Sequence, residues 1–359
     1  MKTLLTRRGP LTLPAFLPDA TRAVVRGLDS RDLAECGLDA LMVNSLHLAT
    51  RPGISTVEAI GGVHRFMAWD GIVASDSGGF QAWSMAAQGA GLGSVTDKGF
   101  VYRHEKAGKK NLLTPEKCIK RQLDLGADIL FCLDQCTHPD DSAEVQATSV
   151  RRTLDWARRC RTEFAARVGE PGRGNDGTRP LLFAVVQGGN DPDLRRRCAE
   201  ELAAMGFDGF GFGGWPVDKD GSLVDMVAHV AAVLPAEAPK HALGIGRPDN
   251  LVAAWRAGYR MFDCALPTRD ARHRRLFVTT ENFDDPVISN DFYRPLYIED
   301  EQHSRDGGPL DPRVNSGVSR AYLHHLFKIK DNSAERLATR QNLAFYGNLM
   351  HRLRREEAS

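Results

Sequence analysis

The sequence is poor in features that would indicate a metal centre or a disulfide framework. Its 7 cysteines are scattered over 359 residues, and no pair has the Cys-x-x-Cys spacing. Cys132 and Cys136 are four residues apart across the end of a predicted strand, which supports neither zinc binding nor a disulfide-stabilised fold. Unpaired cysteines are typical of a reducing cytosol, so we expect a cytoplasmic protein.

The sequence also lacks a long apolar run and a large net charge. No uninterrupted apolar segment reaches the ~20 residues that a membrane-spanning helix needs, and we predict no membrane interaction. With a net charge of +1 and a pI of about 7.7, composition alone does not identify a nucleic-acid-binding protein. Local charge is more informative, because four arginines closely follow the last predicted strand: Arg269, Arg272, Arg274 and Arg275. A phosphate-binding surface and an ordinary solvated surface are both open there.

What the sequence does contain is a regular alternation of short apolar strands and amphipathic helices. Eight such strands separated by helical stretches are what a closed (β/α) barrel requires. We therefore predict an α/β fold, a (β/α)8 TIM barrel with insertions and a C-terminal helical appendage. A Rossmann-type sheet is the alternative, and the absence of Gly-x-Gly-x-x-Gly after the first strand argues against it. The predicted strands are Pro14–Pro18, Ala40–Ser45, Gly71–Asp76, Asp128–Asp134, Leu181–Gly188, Gly209–Gly214, His241–Gly246 and Arg260–Leu266.

The alternation is interrupted by an insertion and stops before the C-terminus. We predict the barrel catalytic domain over residues 1–276 and a C-terminal subdomain over residues 277–359. Ala82–Leu113 is too long for a simple loop and is predicted to be an insertion, for which a hairpin is one solution. Glu281–Pro312 is polar, and we predict an irregular segment there. Two helices are predicted to follow it, Ser319–Lys330 and Ala334–Arg354.

Polar residues fall at the same ends of several predicted strands. Asp76, Asp134 and Asp263 each end an apolar run, and Gln187 lies near the end of another. A single aspartate at a strand end is commonly an N-cap for the next helix, whereas three aspartates and a glutamine at one barrel mouth indicate an active site. Two such carboxylates can serve as a nucleophile and as a general acid or base.

Other residues at this mouth suit a flat ligand. Gly213 and Gly214 end the sixth predicted strand, where a backbone without side chains can approach a planar group closely. Phe80 could stack on such a group, although core packing is the ordinary role of a single phenylalanine. Aspartate, glutamine and backbone amides match the hydrogen-bonding edge of a nucleobase better than they match a sugar phosphate. A nucleobase is therefore the predicted ligand.

Six short motifs occur in order between about Leu13 and Met350. Three of them carry the candidate site: Asp-Ser-Gly-Gly-Phe-Gln at Asp76–Gln81, Val-Gln-Gly-Gly at Val186–Gly189, and Phe-Asp-Cys-Ala-Leu-Pro-Thr-Arg at Phe262–Arg269. With the other three, they give the chain a pattern that resembles the tRNA-guanine transglycosylases. Each motif is weak alone, but several in register are specific. The other three are Arg51–Gly53, Leu113–Lys117 and Ser319–Leu326.

The resemblance implies a reaction and a role for each of two carboxylates. The family exchanges guanine in tRNA for a 7-deazaguanine, and it needs no redox cofactor and no nucleotide energy source. Asp263 aligns with the nucleophile that attacks the anomeric carbon and forms a ribosyl–enzyme intermediate. Asp76 aligns with the general acid/base that exchanges protons with the leaving and incoming bases. The implied partners are tRNA, a 7-deazaguanine base and a second copy of the chain, because the family is often homodimeric.

The same resemblance implies roles for the remaining candidate residues. Phe80 aligns with the aromatic residue that stacks on the base. Arg269 and Arg272 fall in a stretch that resembles the family's RNA-contacting loop. The residues implied to line the purine site are Asp134, Gln187, Gly213 and Gly214.

The chain departs from the family at its zinc subdomain. The family places Cys-x-Cys-x-x-Cys shortly before the Ser-Arg-Ala-Tyr-Leu helix, and a histidine one helix later. This chain has Pro309–Val318, without a cysteine, at the first position and Gln341 at the second. A tetrahedral thiolate site cannot form when all four ligands are absent, so we predict no metal and no other cofactor.

Two further departures concern the incoming base. Lys219 stands where the family carries an acid, and Gln135 stands where it carries a glutamate. A lysine would repel a base with a cationic aminomethyl arm, which favours neutral 7-cyano-7-deazaguanine or queuine. The acceptor is tRNA in the first interpretation and DNA with a flipped base in the second. A non-catalytic partner subunit is the third, disfavoured because Asp76 and Asp263 are both present.

Overall fold

The computed structural model describes residues 2–87, 93–103, 110–172, 176–281 and 288–357. The strands are β1 Thr3–Thr6, β2 Gly9–Thr12, β3 Ala15–Pro18, β4 Ala40–Asn44, β5 Ile72–Asp76, β6 Gly93–Thr96, β7 Gly99–Tyr102, β8 Asn111–Leu113, β9 Ile129–Phe131, β10 Leu181–Val186, β11 Gly209–Phe212, β12 Lys240–Ala242, β13 Met261–Cys264, β14 Arg275–Thr279, β15 Tyr293–Tyr297, β16 Pro309–Asp311 and β17 Val314–Ser319. The helices are α1 Ser30–Glu35, α2 Ser45–Thr50, α3 Ile54–Ala59, α4 Val63–Met67, α5 Gly79–Ala87, α6 Pro115–Leu125, α7 Ala143–Val168, α8 Pro192–Met205, α9 Asp225–Val233, α10 Pro248–Arg256, α11 Leu266–Arg272, α12 Arg320–Lys328 and α13 Asn332–Glu356.

Eight parallel strands form one sheet in the order β3-β13-β12-β11-β10-β9-β5-β4. The two outer strands of this order, β3 and β4, meet through a bridge between Asp19 and Met42. The backbone N–H of Ala20 also donates to the Met42 carbonyl at 2.7 Å. These contacts close the sheet into a barrel. The predicted (β/α)8 fold is confirmed, and each of the eight predicted strands is present.

Several predicted strands ran too far at their C-terminal ends, and β9 shows the reason. It ends at Phe131, so the prediction that Asp134 ends a strand was wrong. Beyond Phe131, the backbone N–H groups of Leu133 and Gln135 donate to side chains of α7 instead of to a neighbouring strand. Asp134 therefore lies in a loop above the sheet. Strands β10, β11 and β13 likewise end two residues earlier than predicted.

The interior of the barrel is filled by alternate residues of its strands, as the two-residue period of a strand requires. The β1–β2 hairpin adds Leu4 and Leu11 to this interior cluster. It covers the end at which the strands begin, since Arg7 beside the hairpin donates to the Ala127 carbonyl just before β9. The inward-facing strand residues include Ala15, Leu17, Met42, Ala74, Phe131, Phe183, Val185 and Met261.

Residues 82–113 form more than the predicted hairpin. Helix α5 continues to Ala87, and β6, β7 and β8 build a three-stranded antiparallel sheet. Parts of the predicted insertion, residues 88–92 and 104–109, lie outside the described residues. Trp156 of α7 anchors the small sheet, because its Nε1 donates to the Asp97 carbonyl at 2.9 Å and its ring meets Phe100 edge-on.

The segment Glu281–Pro312 was predicted to be irregular, and that prediction was wrong. It contributes β15, which pairs antiparallel with β14, and β16, which pairs antiparallel with β17. Buried Asp311 joins the two hairpins, since its Oδ2 accepts from the Thr279 N–H at 2.8 Å and from the Thr279 hydroxyl at 2.9 Å. A separate apolar cluster that includes Leu276, Leu310 and Leu323 forms the core of this appendage.

Helix α13 leads the chain back from the appendage to the barrel. Its Arg336 pairs with Asp32 of α1 at 2.8 Å, and its Arg354 Nε donates to the Pro14 carbonyl at 3.0 Å. The two predicted C-terminal helices are present as α12 and α13. The predicted division between residues 276 and 277 stays a prediction. Among the described helices, none combines the length and the apolar character needed to cross a membrane.

Candidate active site at the barrel mouth

The candidate residues form the uppermost layer of the barrel interior. Each lies two positions beyond an inward-facing residue of the same strand or its extension, so it faces the same way. Parallel strands place these positions together at the C-terminal mouth of the barrel. The residues of this layer are Asn44 on β4, Asp76 on β5, Gln187 after β10, Gly213 after β11 and Asp263 on β13.

Asp76 is held by the neighbouring strand and by the turn that follows it. The Asn44 amide donates to its Oδ2 at 2.6 Å, and the backbone N–H of Gly78 approaches its Oδ1 at 3.3 Å. The same Asn44 amide donates to Gln81 Oε1 at 2.9 Å. The other end of the Asn44 side chain caps α2, accepting from the Leu46 N–H at 3.0 Å. The donor that faces Asp76 is therefore fixed at both ends.

Asp263 is held through one of its two oxygens. His241 Nε2 lies 2.8 Å from its Oδ1, and the backbone N–H of Gly244 donates to the same atom at 3.3 Å. His241 is fully buried on β12, whereas the Asp263 side chain keeps 19% of its surface exposed at the mouth. The carboxylate thus faces the open end of the barrel with a fixed orientation.

Asp134 and Gln187 form a second polar pair across the mouth. Gln187 Nε2 donates to Asp134 Oδ2 at 2.6 Å. Gln187 Oε1 is buried and has no hydrogen-bond partner within the described part of the chain. A buried acceptor without a donor is costly, so this oxygen is available to an N–H group of a ligand.

Both partly enclosed carboxylates are easier to protonate than ordinary aspartates. Burial, together with the nearby Asp263 charge, raises the pKa of Asp76 to about 6, against the opposing hydrogen bonds from Gly78 and Asn44. Burial, together with the nearby Asp76 charge, raises the pKa of Asp134 to about 7. Such values place proton exchange near neutral pH, as acid–base catalysis requires.

Gly213 and Gly214 let the chain pass close to Gln187 at the mouth. A Cβ atom at Gly213 would lie 2.5 Å from Gln187 Nε2 and 2.5 Å from Val185 Cγ1, so a side chain there would displace one of these groups. Gly214 has a φ of +92°, a conformation that favours glycine. The slot for a flat group beside these glycines stays a prediction.

Arg195 of α8 supports the Gln187 and Gly213 positions from below. It is 1% exposed, and its guanidinium donates to the Val186 carbonyl at 2.7 Å, the Gly213 carbonyl at 2.9 Å and the Gly189 carbonyl at 2.9 Å. Burial lowers its pKa to about 10. One side chain therefore ties the ends of two adjacent strands together beneath the slot.

The rim next to Asp76 is aromatic. Phe80 is 46% exposed, so it does not serve the core. Its ring lies 5.7 Å from the Trp83 ring and 6.3 Å from the Trp215 ring. Trp215 is fixed by its Nε1, which donates to the Thr137 carbonyl at 3.1 Å. Phe80 therefore presents a ring face or edge at the mouth, where it can meet a ligand.

The predicted basic residues lie on the opposite side, beyond β13. Arg269 is exposed on α11. Arg272 is partly buried and donates to the Thr268 carbonyl at 2.8 Å. Burial and the positive charge of nearby Arg26 lower the pKa of Arg272. Arg272 thus lies near the charges of both Arg26 and Arg269, and Arg26 was not a sequence candidate.

Two residues expected to tune the charge of the slot behave differently. Gln135 turns away from it, since its Oε1 accepts from Arg152 of α7 at 3.2 Å. Its side chain faces the helix layer, and its effect on the charge at the ligand stays a prediction. Lys219 lies exposed in a turn closed by the Gly221 N–H, which donates to the Asp218 carbonyl at 3.1 Å.

Four residues that support this site were not sequence candidates: Asn44, Arg195, Trp215 and His241. Asn44 and His241 lie within predicted strands, and the two-residue period would have placed them on the inner face. Arg195 gave no such signal, because a basic residue on an amphipathic helix is ordinarily exposed.

The residues present do not fit the zinc ion of the related family. No cysteine follows Cys264 in the sequence. Gln341 is fully buried in α13, and an amide side chain does not replace a histidine ligand. Across the described ranges, no group of three or more His, Cys, Asp or Glu side chains is arranged to hold a metal.

Comparison of the sequence with known proteins shows the family of this chain. The model of the queuine tRNA-ribosyltransferase family matches residues 1–356. A queuine tRNA-ribosyltransferase of Novosphingobium aromaticivorans is 36% identical over 352 residues, which is 97% of this chain and 88% of the relative. Those of Solidesulfovibrio magneticus and Psychrobacter cryohalolentis are 36% and 35% identical over 98% of this chain and 88% of each relative. The chain therefore belongs to the queuine tRNA-ribosyltransferase, or tRNA-guanine transglycosylase, family of pentosyltransferases.

Proposed function

We propose that this chain exchanges a nucleobase in tRNA, replacing guanine by a 7-deazaguanine through a covalent aspartyl–ribosyl intermediate. The main support is that two carboxylates, Asp263 and Asp76, lie at the same barrel mouth in different environments. Within the described residues, Asp263 is anchored through Oδ1. Asp76 has a pKa raised to about 6, chiefly by burial. One group suits attack on carbon and the other suits proton exchange, which is how two carboxylates divide such a reaction.

In the first step, Asp263 Oδ2 attacks the anomeric carbon of the target nucleotide. A bond forms between Oδ2 and C1′, the C1′–N9 bond breaks, and its electron pair goes to the guanine. Protonated Asp76 donates its proton to that base, which leaves as a neutral molecule. The ribose is then an ester of Asp263, and Asp76 is a carboxylate.

In the second step, the incoming base reverses these changes. Its N9 proton passes to the Asp76 carboxylate while N9 attacks C1′. The C1′–Oδ2 bond breaks, and its electron pair returns to Asp263 as a carboxylate. The enzyme is regenerated with Asp76 protonated, so the exchange consumes no oxidant, reductant or nucleotide.

The polar pair Asp134 and Gln187 would hold the base in both steps. Ionised Asp134 and the Gln187 carbonyl are acceptors, and they match the adjacent N–H groups of a guanine-type edge. The absence of a side chain at Gly214 lets the base reach the backbone. Phe80 would stack on its face. The same contacts serve guanine and a 7-deazaguanine, because the two differ at position 7.

Transfer RNA is the proposed acceptor because the relatives are named for it and because arginines flank the nucleophile. The charges of Arg26 and Arg269 both act on Arg272, and a group of arginines of this kind suits a phosphate backbone. The target base of the tRNA must also leave its stack to enter the mouth of the barrel.

The incoming base is proposed to be a neutral 7-deazaguanine. Lys219 is exposed on the loop that follows Gly214, and Asp218 beside it is occupied by the backbone N–H groups of Asp220 and Ser222, each at 2.9 Å. Lys219→Glu should raise the rate with a 7-aminomethyl base relative to a 7-cyano base. An unchanged preference would remove Lys219 from the account of base choice.

The acceptor is tested by incubating the protein with radiolabelled guanine and, separately, with bulk tRNA or with DNA. We expect label in tRNA and none in DNA. Label in DNA alone would overturn the acceptor while keeping the reaction. Label in neither, with Asp76 and Asp263 intact, would favour a non-catalytic partner subunit.

We also propose that the protein works as a zinc-free homodimer in the cytoplasm. All seven cysteines are free, which fits a reducing compartment. The appendage has its own apolar cluster and the buried Asp311 hydrogen bonds in place of a metal. Light scattering should give about twice the chain mass of 39.5 kDa. A mass of one chain at assay concentration would contradict the dimer.

A further inference from the structure

The nucleophile has an unassigned neighbour in the layer beneath it. His241 pairs in register with Met261, an inward-facing residue of β13, and Asp263 lies two positions further along that strand. Both side chains therefore point into the barrel from neighbouring strands, with His241 one layer below Asp263. His241 is fully buried, and its ring meets Phe131 edge-on at 5.3 Å between centroids. Packing leaves the imidazole little freedom to rotate.

We propose that His241 is a positioning residue that fixes Asp263 Oδ1 and leaves Oδ2 as the attacking atom. The inference rests on the proposed function of Asp263. Oδ1 receives two donors, His241 Nε2 at 2.8 Å and the Gly244 N–H at 3.3 Å. Within the described residues, no hydrogen bond is formed to Oδ2. A carboxylate anchored through one oxygen can direct the other at a carbon atom.

The proton of this contact must lie on Nε2, because an ionised carboxylate can only accept. The second ring nitrogen, Nδ1, is buried and has no hydrogen-bond partner among the described residues. No second carboxylate or carbonyl therefore competes for the ring within the described chain. The Nε2–H bond to Asp263 is the single polar contact that sets the ring orientation there.

This contact should act unequally on the two steps. During attack, negative charge leaves Asp263, so a donor on Oδ1 helps by geometry and not by charge. During displacement, the C1′–Oδ2 bond breaks and its electron pair returns to the carboxylate. The Nε2–H donor then stabilises the charge that develops on Asp263. Loss of the donor should therefore slow displacement more than attack, and the covalent intermediate should accumulate.

The test compares His241→Phe, which keeps the ring and removes the donor, with His241→Gln, whose amide can supply an N–H in place of Nε2. We expect His241→Phe to lower kcat for guanine exchange roughly 10- to 100-fold, the range for losing a hydrogen bond to a charged group, with KM for tRNA changed less than ~3-fold. The fraction of enzyme trapped as covalent adduct at steady state should rise. His241→Gln should recover most of the activity.

A matched control lies at the opposite end of the barrel. His64 is also buried, and its Nε2 lies 2.9 Å from Asp128 Oδ2 just before β9. His64→Phe removes an equivalent contact and should lower the melting temperature without raising the adduct fraction. If His64→Phe raises the adduct fraction as His241→Phe does, the effect is general destabilisation and the proposal is wrong.

A readout that needs no turnover separates this proposal from the proposed function. In protein labelled with ¹⁵N-histidine, we expect a downfield Nε2–H resonance that is absent in His241→Gln and lost or strongly shifted in Asp263→Ala. If that resonance is present but wild-type protein exchanges no base, the contact stands and the transglycosylase function fails. If exchange is normal, but the resonance is absent or His241→Phe keeps full kcat, the positioning role fails.

Discussion

Asn44 and Asp76 end neighbouring strands in register, and the Asn44 amide donates to the Asp76 carboxylate across them at 2.6 Å. Burial raises the pKa of Asp76 to about 6, while the hydrogen bonds from Gly78 and Asn44 oppose that rise. The pKa of Asp76, the proposed proton carrier, is therefore set both by its burial and by hydrogen bonds from residues that are held in place. Asn44 is fixed because it also caps α2.

Asn44→Ala should move the pH optimum of base exchange to higher pH by about one unit. The reason is that a hydrogen bond to the charged form lowers a pKa, and one unit corresponds to about 1.4 kcal/mol. The measurement is the pH dependence of kcat for guanine exchange. Asp29→Ala, which removes the cap of α1 and touches no residue of the candidate site, is the matched control and should lower stability alone. Equal optima for wild type and Asn44→Ala would contradict this role.

Asp134→Asn should stabilise the protein at pH 8 and not at pH 4. Burial raises the pKa of Asp134 to about 7, so the folded state favours the neutral acid. Its stabilising effect is present below the unfolded-state pKa of about 3.9 and is lost as the pH rises through about 7. The neutral amide avoids that loss, by about 2–4 kcal/mol. Melting temperatures of both proteins at the two pH values check this, and equal values at pH 8 would refute it.

Gly213→Ala should raise KM for the incoming base about tenfold or more while leaving the fold intact. The added methyl group would meet Gln187 Nε2 and Val185 Cγ1, each 2.5 Å away, and would push Gln187 from Asp134. Small displacements of this kind commonly cost large factors in rate. Gly307→Ala is the control, because a Cβ atom there meets nothing within 4 Å. A normal KM in Gly213→Ala would mean that the base does not bind beside Gln187.

The purified protein should contain well below one zinc per chain, and chelation should leave its melting temperature unchanged. The appendage lacks every expected ligand and is joined by its apolar cluster and by the Asp311 hydrogen bonds to Thr279. Elemental analysis after dialysis measures the metal directly. Asp311→Asn, which weakens the acceptor, should lower the melting temperature. One tightly held zinc per chain would overturn this account.

The sequence was sufficient to predict the barrel, because its eight buried strands are apolar runs separated by amphipathic helices. It was also sufficient to place Asp76 and Asp263, since each follows such a run on the strand itself. Asp134 reached the site for a different reason than predicted: β9 ends at Phe131, and the chain changes direction before Asp134. The path of the chain after β9 depends on hydrogen bonds to side chains of α7, and the local sequence around Asp134 does not reveal them.

Two kinds of detail required the three-dimensional structure. The partner of each inward-facing polar residue depends on strand register, so neither Asn44 beside Asp76 nor His241 beside Asp263 could be paired from the sequence. The strands β15 and β16 within Glu281–Pro312 were missed because each has a single buried apolar residue, Leu296 and Leu310. Short antiparallel pairs of this kind give a weaker signal than a fully buried parallel strand.

The central claim is that Asp263 forms a covalent bond to the target nucleotide. It is tested most directly by quenching the exchange reaction in denaturant and measuring end-labelled tRNA that remains attached to the protein. Wild-type protein should carry a labelled band, and Asp263→Asn should carry none, because a neutral amide is a poor nucleophile toward the anomeric carbon. A labelled band and full exchange activity in Asp263→Asn would contradict the account.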